Sequence, residues 1–270
     1  MKVKSKVLII AGSDSSGGAG IQADIKTVTA FGSYAMTALT AVTSQNTQGV
    51  KAITPIPIKN IKLQMKMVLD DIGTNAVKIG MLHNASVIKC VHSILKKYKL
   101  KNIVLDPVMI AKGGAKLLNS NSVSYLKRLL LPMCNIITPN IPEAEILTGY
   151  SISNKEDMMR AAKKIINMGA QNVLLKGGHL NNKMIFDILV SKKEIKVFPK
   201  RKIITKNTHG TGCTLSSALA ACLSQKLSVY KSCNISLKYV DQAICTAPGF
   251  GKGFGPLNHL VSFNLKNTNA

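Results

Sequence analysis

Short apolar runs alternate with longer amphipathic segments along most of this chain. The short runs are rich in β-branched residues and end at glycine, proline or polar residues, a pattern that predicts buried strands. These runs cover residues 7–11, 35–43, 76–79, 102–105, 135–137 and 173–176. Two later runs, 184–190 and 194–199, lie on either side of Lys192 and Lys193, and their spacing predicts an antiparallel hairpin.

The longer segments repeat apolar residues every three or four positions, which predicts helices packed against a core. The predicted helices cover residues 20–31, 58–72, 84–98, 122–131, 154–168, 212–223 and 229–247, with a short one around Pro142 and Glu143. The helix ends carry their usual signals, because Asn84 and Asn154 are good N-caps and Gly169 is a good terminator.

This alternation predicts an α/β fold with three layers, in which helices cover both faces of a mostly parallel central sheet. Ligands of such folds bind beyond the carboxyl ends of the strands. Polar and glycine-rich clusters follow the predicted strands, at residues 12–20, 44–48, 80–81, 106–109, 138–143, 176–179 and 207–213. No linker or change of composition divides the chain, so we predict one domain over residues 1–270.

The segment 207–214, with the sequence NTHGTGCT, is the most informative of these clusters. Two glycines free its backbone, and the apolar run 215–223 that follows predicts a buried helix. The unpaired amides and the dipole of such a helix start attract a phosphoryl group. Cys213 would lie at this helix start, where we expect the pKa of its thiol to be lowered.

The formal net charge of +24 favours anionic ligands such as nucleic acids, anionic membranes or phosphates. The basic residues are nevertheless spread over the whole sequence, aromatic residues make up only 4% and there is no tryptophan. Stacking surfaces for bases are therefore scarce. We interpret the charge as diffuse surface charge and expect no nucleic-acid partner.

The six cysteines form no CxxC pair, which argues against a zinc site or a redox dithiol. The longest apolar runs are far shorter than a membrane span, and the basic N-terminus precedes too short an apolar run for an export signal. We therefore expect a cytoplasmic protein with reduced cysteines and no membrane partner.

Two common nucleotide-binding motifs are excluded. Residues 18–23 fit the pattern G-x-G-x-x-A, but the preceding strand does not turn directly into it. No acidic residue lies between Asp24 and Asp70 to bind a ribose hydroxyl, which argues against an NAD site. The chain also lacks the motif G-x-x-x-x-G-K-[ST], so it is not a P-loop protein.

Seven segments form a recognisable set: AGSDSSGGAGIQAD at 11–24, QNT at 45–47, KIGM at 78–81, LDPVM at 105–109, TPN at 138–140, KGGH at 176–179 and, as the seventh, NTHGTGCT at 207–214. Together they resemble the hydroxymethylpyrimidine/phosphomethylpyrimidine kinase family of the ribokinase-like superfamily. Their order and spacing match the family from about residue 7 to about residue 259, and GKGFGP at 251–256 resembles its C-terminal signature. The resemblance implies a ribokinase-like domain that phosphorylates a pyrimidine alcohol with ATP, in thiamine biosynthesis.

The resemblance also implies a pyrimidine pocket. Asp24 would lie near the hydroxymethyl group, Gln45 would read the edge of the ring, and Gly12, Met81 and Val108 would form the walls. An amide offers both a donor and an acceptor, which suits an aminopyrimidine. The residues alone also allow Asp24 to be a partner of the helix dipole and Gln45 to be a solvated loop residue.

On the phosphate side, the resemblance implies that Lys176, Asn140 and Thr211 contact ATP and that Asp106 and Glu143 face Mg²⁺. Mg²⁺ prefers a few carboxylates together with water and phosphate oxygens. The sequence alone allows these two carboxylates to be helix caps or members of surface ion pairs instead.

For catalysis, the amides of Gly210, Thr211, Gly212 and Cys213 would hold the transferred phosphoryl group. Related sugar kinases carry aspartate as the general base where this chain has Cys213, so the resemblance implies that Cys213 accepts the proton of the alcohol. The alternative is a small packed residue beside the anion site, with positioning and electrostatics supplying most of the catalysis.

The resemblance implies phosphorylation of 4-amino-5-hydroxymethyl-2-methylpyrimidine by MgATP, followed by phosphorylation of its monophosphate to the diphosphate. A homodimer is implied by the resemblance only. Two alternatives stay open at this point: a pyridoxal kinase on the same fold, and a basic nucleic-acid-binding protein built on a kinase scaffold.

Overall fold

The computed structural model describes residues 3–109, 118, 120–179 and 184–261, and within these ranges it contains ten strands and eight α-helices. The strands are β1 Lys6–Ala11, β2 Tyr34–Leu39, β3 Ala41–Asn46, β4 Gly49–Pro55, β5 Ala76–Ile79, β6 Ile103–Leu105, β7 Ile136–Ile137, β8 Asn172–Leu175, β9 Met184–Ser191 and β10 Ile195–Arg201. The helices are α1 Gly20–Ala30, α2 Ile58–Asp71, α3 Ala85–Lys97, α4 Ser120–Tyr125, α5 Ile141–Thr148, α6 Lys155–Asn167, α7 Thr211–Ser224 and α8 Val229–Cys245.

Eight of the described strands form one sheet in the order β10-β9-β8-β7-β6-β5-β1-β2. Its strands β2, β1, β5, β6, β7 and β8 are parallel, and β9 and β10 add an antiparallel edge. Helices α2 to α6 supply the apolar side chains on one face, and α1, α7 and α8 supply those on the other. The predicted three-layer α/β/α fold with a mostly parallel sheet is confirmed.

The inner strands are buried on both faces because helices cover both faces of the sheet. Strand β5 has the sequence AVKI, and all four of its residues are buried. Lys78 is therefore a charged side chain in a strand that is otherwise fully apolar. The parallel strands end on the same edge of the sheet, where the polar clusters of the sequence come together.

One predicted strand, 35–43, is wrong as a single element. It breaks at Thr40 into β2 and β3, and β3 pairs with β4 in a separate two-stranded sheet that the sequence analysis did not predict. At Thr40 the amide donates to the Ala11 carbonyl (3.0 Å), which is the last rung of the pairing with β1, and the hydroxyl donates to the Met81 carbonyl (2.7 Å). The chain then leaves the main sheet as a hairpin above its carboxyl edge.

The predicted helix ends agree closely with the structure. Asn84 and Asn154 accept hydrogen bonds from the amides three residues further on, as N-caps do. The predicted helix 122–131 is helical, but after α4 it winds as a π-helix over Leu126–Leu130 and then as a 3₁₀ turn. Among the helices described, none is long and apolar enough to cross a membrane.

Candidate active site

A cavity of about 750 Å³ lies where the carboxyl ends of the parallel strands meet α7 and the β3–β4 hairpin. Its lining contains nearly all of the residues that the sequence analysis selected: Gly12, Gln45, Met81, Asp106, Val108, Asn140, Glu143, Lys176, Gly210, Thr211, Gly212 and Cys213. Segments far apart in the sequence thus share one cavity. Asp24 is the exception, and its position is given below.

The glycine-rich start of α7 forms the predicted cradle of amides. Gly210 is the N-cap, with φ 84°, and a Cβ added there would lie 1.7 Å from the Gly18 carbonyl oxygen. Only glycine fits this close approach of two backbones. Thr214 is the first residue of the helix whose amide reaches the carbonyl of Gly210 (2.9 Å). The amides of Gly212 and Cys213 precede it, and they are therefore available to an anion.

Thr211 departs from its predicted part in this cradle. Its amide donates to the Thr208 carbonyl at 3.4 Å, and its hydroxyl donates to the same oxygen. Both polar groups are thus turned toward the preceding loop. The cradle therefore consists of the two amides that follow Thr211, those of Gly212 and Cys213.

A carboxylate and a lysine face this cradle. Asp106 is buried at the end of β6, and its Oδ1 lies 3.5 Å from the Nζ of Lys176 and 3.3 Å from the hydroxyl of Thr138. A Cβ on Gly212 would lie 3.3 Å from both Asp106 Oδ2 and Lys176 Nζ. Burial would lower the pKa of Lys176, but Asp106 and Glu143 raise it, so this lysine carries its charge beside the cradle.

Asn140 and Glu143 form a capping box at the start of α5. The Asn140 side chain accepts from the Glu143 amide, and the Glu143 carboxylate accepts from the Asn140 amide, both at 2.9 Å. Burial raises the pKa of Glu143 to about 7, with Lys176 opposing and Asp106 adding to the shift. Asn140 was predicted to contact ATP, and in the structure its side-chain oxygen caps α5.

Asp106 and Glu143 fit a Mg²⁺ site only with help from a ligand. In the described part of the chain no group of three or more His, Cys, Asp or Glu side chains could hold a metal ion. Two carboxylates beside a phosphate cradle are nevertheless what Mg²⁺ uses when it is bound mainly through substrate phosphates. The donor set therefore suits a magnesium–nucleotide complex rather than a resident metal.

Asp14 and His209 join the two glycine-rich segments, and the sequence analysis missed this role of Asp14. Asp14 Oδ2 accepts from the amides of Gly18 (3.1 Å) and Ala19 (2.7 Å) and lies 2.8 Å from His209 Nε2. Burial would raise the pKa of Asp14, but hydrogen bonds from His209, Ser16 and Gln45 hold it well below its usual range. A charged Asp14 therefore fixes the glycine loop against the cradle.

Asp24 does not lie on the cavity wall, which corrects the predicted contact with substrate. It is fully buried, it accepts from the hydroxyl of Ser217 (2.7 Å), and its Oδ2 lies 2.7 Å from the Nζ of Lys78. Lys78 is the member of this pair that lines the cavity. A lysine inside the apolar strand AVKI is the sequence signal that could have indicated this pair.

The pKa of Cys213 also differs from the prediction. Burial raises the pKa of this thiol to about 12, and the carboxylates of Asp24 and Asp106 add to the shift while Lys78 opposes it. The helix start and the neighbouring cation are thus outweighed by desolvation. The thiol is neutral at pH 7 in the protein without ligands.

The predicted pyrimidine side is formed by the hairpin and the first strands. A Cβ on Gly12 would lie 3.1 Å from the sulfur of Met81, so there is little space between these two residues for a larger side chain at position 12. Gln45 lies on β3 rather than at the end of a strand of the main sheet. Its backbone is bound on both sides by the Ser15 hydroxyl, at 2.9 and 2.7 Å, so the hairpin is attached to the glycine loop.

Sequence comparison identifies two similar proteins. The "Thiamine biosynthesis bifunctional protein ThiED" of Geobacter sulfurreducens is 46% identical over 96% of this chain, and the chain spans only 53% of that protein. The "Hydroxymethylpyrimidine/phosphomethylpyrimidine kinase" of Bacillus subtilis is 45% identical, with 95% of each protein covered.

Structural comparison gives a third relative. The chain is similar to the ADP complex of Bacillus subtilis pyridoxal kinase, with a TM-score of 0.89, 37% identity, and 95% of this chain and 97% of that chain covered. The family profile described as phosphomethylpyrimidine kinase matches residues 14–258. The family resemblance and the ribokinase-like fold are thereby confirmed, and the chain belongs to the phosphomethylpyrimidine kinase family.

Proposed function

We propose that this kinase transfers the γ-phosphoryl group of ATP to the alcohol of 4-amino-5-hydroxymethyl-2-methylpyrimidine, and then a second one to the resulting monophosphate, in thiamine biosynthesis. The observation that carries the proposal is the cradle at Gly212 and Cys213, which faces Asp106 and Lys176 in a cavity that also contains Gln45. Relatives with this named activity support the choice of substrate.

In the first reaction, the alcohol oxygen bonds to the γ-phosphorus, the bond from that phosphorus to the bridging oxygen breaks, and ADP leaves. The amides of Gly212 and Cys213 stabilise the charge on the transferred group, because they are already oriented toward it. Lys176 neutralises part of the same charge. In the second reaction, a phosphate oxygen of the monophosphate is the nucleophile.

Cys213 is proposed as the proton acceptor for the alcohol. With a pKa of about 12, forming the thiolate at pH 7 costs roughly 7 kcal/mol in the protein without ligands. The acceptor role therefore requires that positive charge near the sulfur offsets this cost when both substrates are bound. In a loose transition state, phosphoryl transfer depends mainly on positioning and on electrostatic stabilisation. We propose that the alcohol gives its proton to Cys213 late in this step.

Asp106 and Glu143 are proposed to hold Mg²⁺ together with the ATP phosphates. A bound Mg²⁺ ion would neutralise phosphate charge during transfer. The chain's own contribution is the geometry of the two carboxylates: the capping box fixes Glu143, and Thr138 and Lys176 fix Asp106.

The test is a coupled assay of ADP release with the hydroxymethylpyrimidine, its monophosphate and pyridoxal as separate acceptors. We expect both pyrimidines to be phosphorylated with a kcat/KM at least tenfold above that for pyridoxal. The similarity to a pyridoxal kinase makes pyridoxal the specific rival. Faster turnover of pyridoxal would transfer the assignment to a vitamin B6 kinase, and no ADP release with any acceptor would refute the kinase proposal.

We further propose that the protein is a cytoplasmic homodimer. All six cysteines are free in the structure, which suits a reducing compartment with ATP. The β3–β4 hairpin forms its own two-stranded sheet, and Val42 on it is 43% exposed, so this hairpin offers a surface for a second copy. Light scattering at several concentrations would test the dimer, and a mass of about 29 kDa at every concentration would refute it.

A further inference from the structure

Lys78 is the most unusual charged residue of the structure. Among the lysines that the structure describes, it alone is completely buried. Its Nζ lies 2.7 Å from Asp24 Oδ2, and Ser217 donates to the other oxygen of that carboxylate at 2.7 Å. The pair connects the central strand β5 with α1 and α7.

A contribution to stability does not explain why this buried ion pair is present. Desolvation of two charges consumes most of their attraction, and apolar residues of similar volume often replace a buried ion pair without loss of stability. Strand β5 is apolar at its other three positions, and methionine at position 78 together with an uncharged residue at position 24 would bury no charge at all. A role in the site is therefore the better explanation for a lysine here.

Ser217, which binds the same Asp24 carboxylate, follows Cys213 by four residues and lies on the same face of α7. The carboxylate therefore holds Lys78 on the side of α7 that carries Cys213, and both residues are part of the cavity lining. The Lys78 side chain itself is completely buried. The charged or titratable groups that act on it come from three elements: Asp24 on α1, Asp106 after β6 and Cys213 on α7. Burial would lower the pKa of Lys78, but these neighbours raise it, so the ammonium stays charged.

We propose that Lys78 is a positioning residue for phosphoryl transfer: held by Asp24, its ammonium group stabilises the negative charge that develops on the Cys213 sulfur as the alcohol loses its proton. The inference rests on the proposed function and names the source of the positive charge that this half-buried thiol needs. Asp24, which the sequence analysis placed against the substrate, acts instead by holding Lys78 in position.

The experiment uses two variants that remove the cation. In Lys78→Gln the amide can still donate to Asp24, and in the double variant Lys78→Met/Asp24→Asn no unpaired charge is buried while Ser217 keeps its acceptor. Lys238→Met removes a lysine from the exposed side of α8 and is the matched control. For each variant we would measure the melting temperature, kcat, KM for ATP and the rate of alkylation of Cys213 by iodoacetamide.

We expect both variants to stay folded, kcat to fall at least tenfold, and KM for ATP to stay within threefold of the unmodified protein. Alkylation of Cys213, followed by mass spectrometry of its peptide, should slow at least tenfold. The exposed Cys245 should react at an unchanged rate in the same samples. Lys238→Met should change none of these values.

Either of two results would overturn the proposal: a folded variant with kcat within threefold of the unmodified protein, or an unchanged rate at Cys213. The alkylation rate needs no substrate. If the unmodified protein phosphorylates no pyrimidine, the proposed function fails, but the link between Lys78 and Cys213 is still decided by that rate.

Discussion

Replacing Gly210 by alanine tests whether the amide cradle is the catalytic feature of this site. The added Cβ would lie 1.7 Å from the Gly18 carbonyl oxygen, whereas a carbon–oxygen contact needs about 3.3 Å. The clash involves backbone on both sides, so the glycine loop and the start of α7 must separate by roughly 1.5 Å. Loss of one oriented donor costs about 10²–10³ in kcat. We therefore expect kcat/KM to fall at least about 100-fold.

The matched control is Gly149→Ala. Gly149 also has a left-handed φ, 72°, but an added Cβ meets nothing within 4 Å. Both variants carry the same backbone strain of about 1–2 kcal/mol, and only Gly210→Ala adds the clash. Melting temperature and ADP release would be measured for both. If Gly210→Ala keeps a kcat/KM within threefold of Gly149→Ala, the oriented cradle is not the source of catalysis.

Three further predictions concern single side chains. Cys213→Ala should lower kcat about 100-fold while the Kd for ATP changes less than threefold, and an unchanged kcat would remove the proton-acceptor role. Gln45→Ala should raise the KM for the pyrimidine roughly tenfold through the loss of hydrogen bonds to the ring. An unchanged KM would show that Gln45 does not bind the ring. Asp14→Asn should destabilise the protein at pH 7 in urea titrations. The pKa of Asp14 is lowered well below 3.8 on folding, so its contribution is complete above pH 3.8 and declines as the pH falls from there toward the folded-state pKa. A stability difference between the two proteins that is as large at pH 2.5 as at pH 7 would contradict this cause.

The sequence was sufficient for the main sheet and its helices, because buried strands and amphipathic helices leave clear patterns. It was insufficient at Thr40. The run 35–43 contains no glycine or proline, and the contacts of Thr40 where the strand ends are to Ala11 and Met81, which are distant in the sequence. Such tertiary contacts leave no local signal, so the β3–β4 hairpin was missed.

The site could be predicted as a set of segments but not as a network. Asp14 and His209 are 195 residues apart, and no local pattern shows that they touch. The lowered pKa expected for Cys213 followed from a general rule for helix starts, and the rule failed because burial has the larger effect here. The prediction that Asp24 lines the cavity also failed, because the sequence does not show that Asp24 pairs with Lys78 and that Lys78 lines the cavity instead.

A crystal structure with magnesium, a non-hydrolysable ATP analogue and the hydroxymethylpyrimidine tests the central proposal most directly. We predict that oxygens of the terminal phosphate lie about 3 Å from the amide nitrogens of Gly212 and Cys213. The hydroxymethyl oxygen should face the same phosphorus atom from the side of Gln45. A terminal phosphate bound elsewhere, with these two amides left to water, would contradict the proposed mechanism.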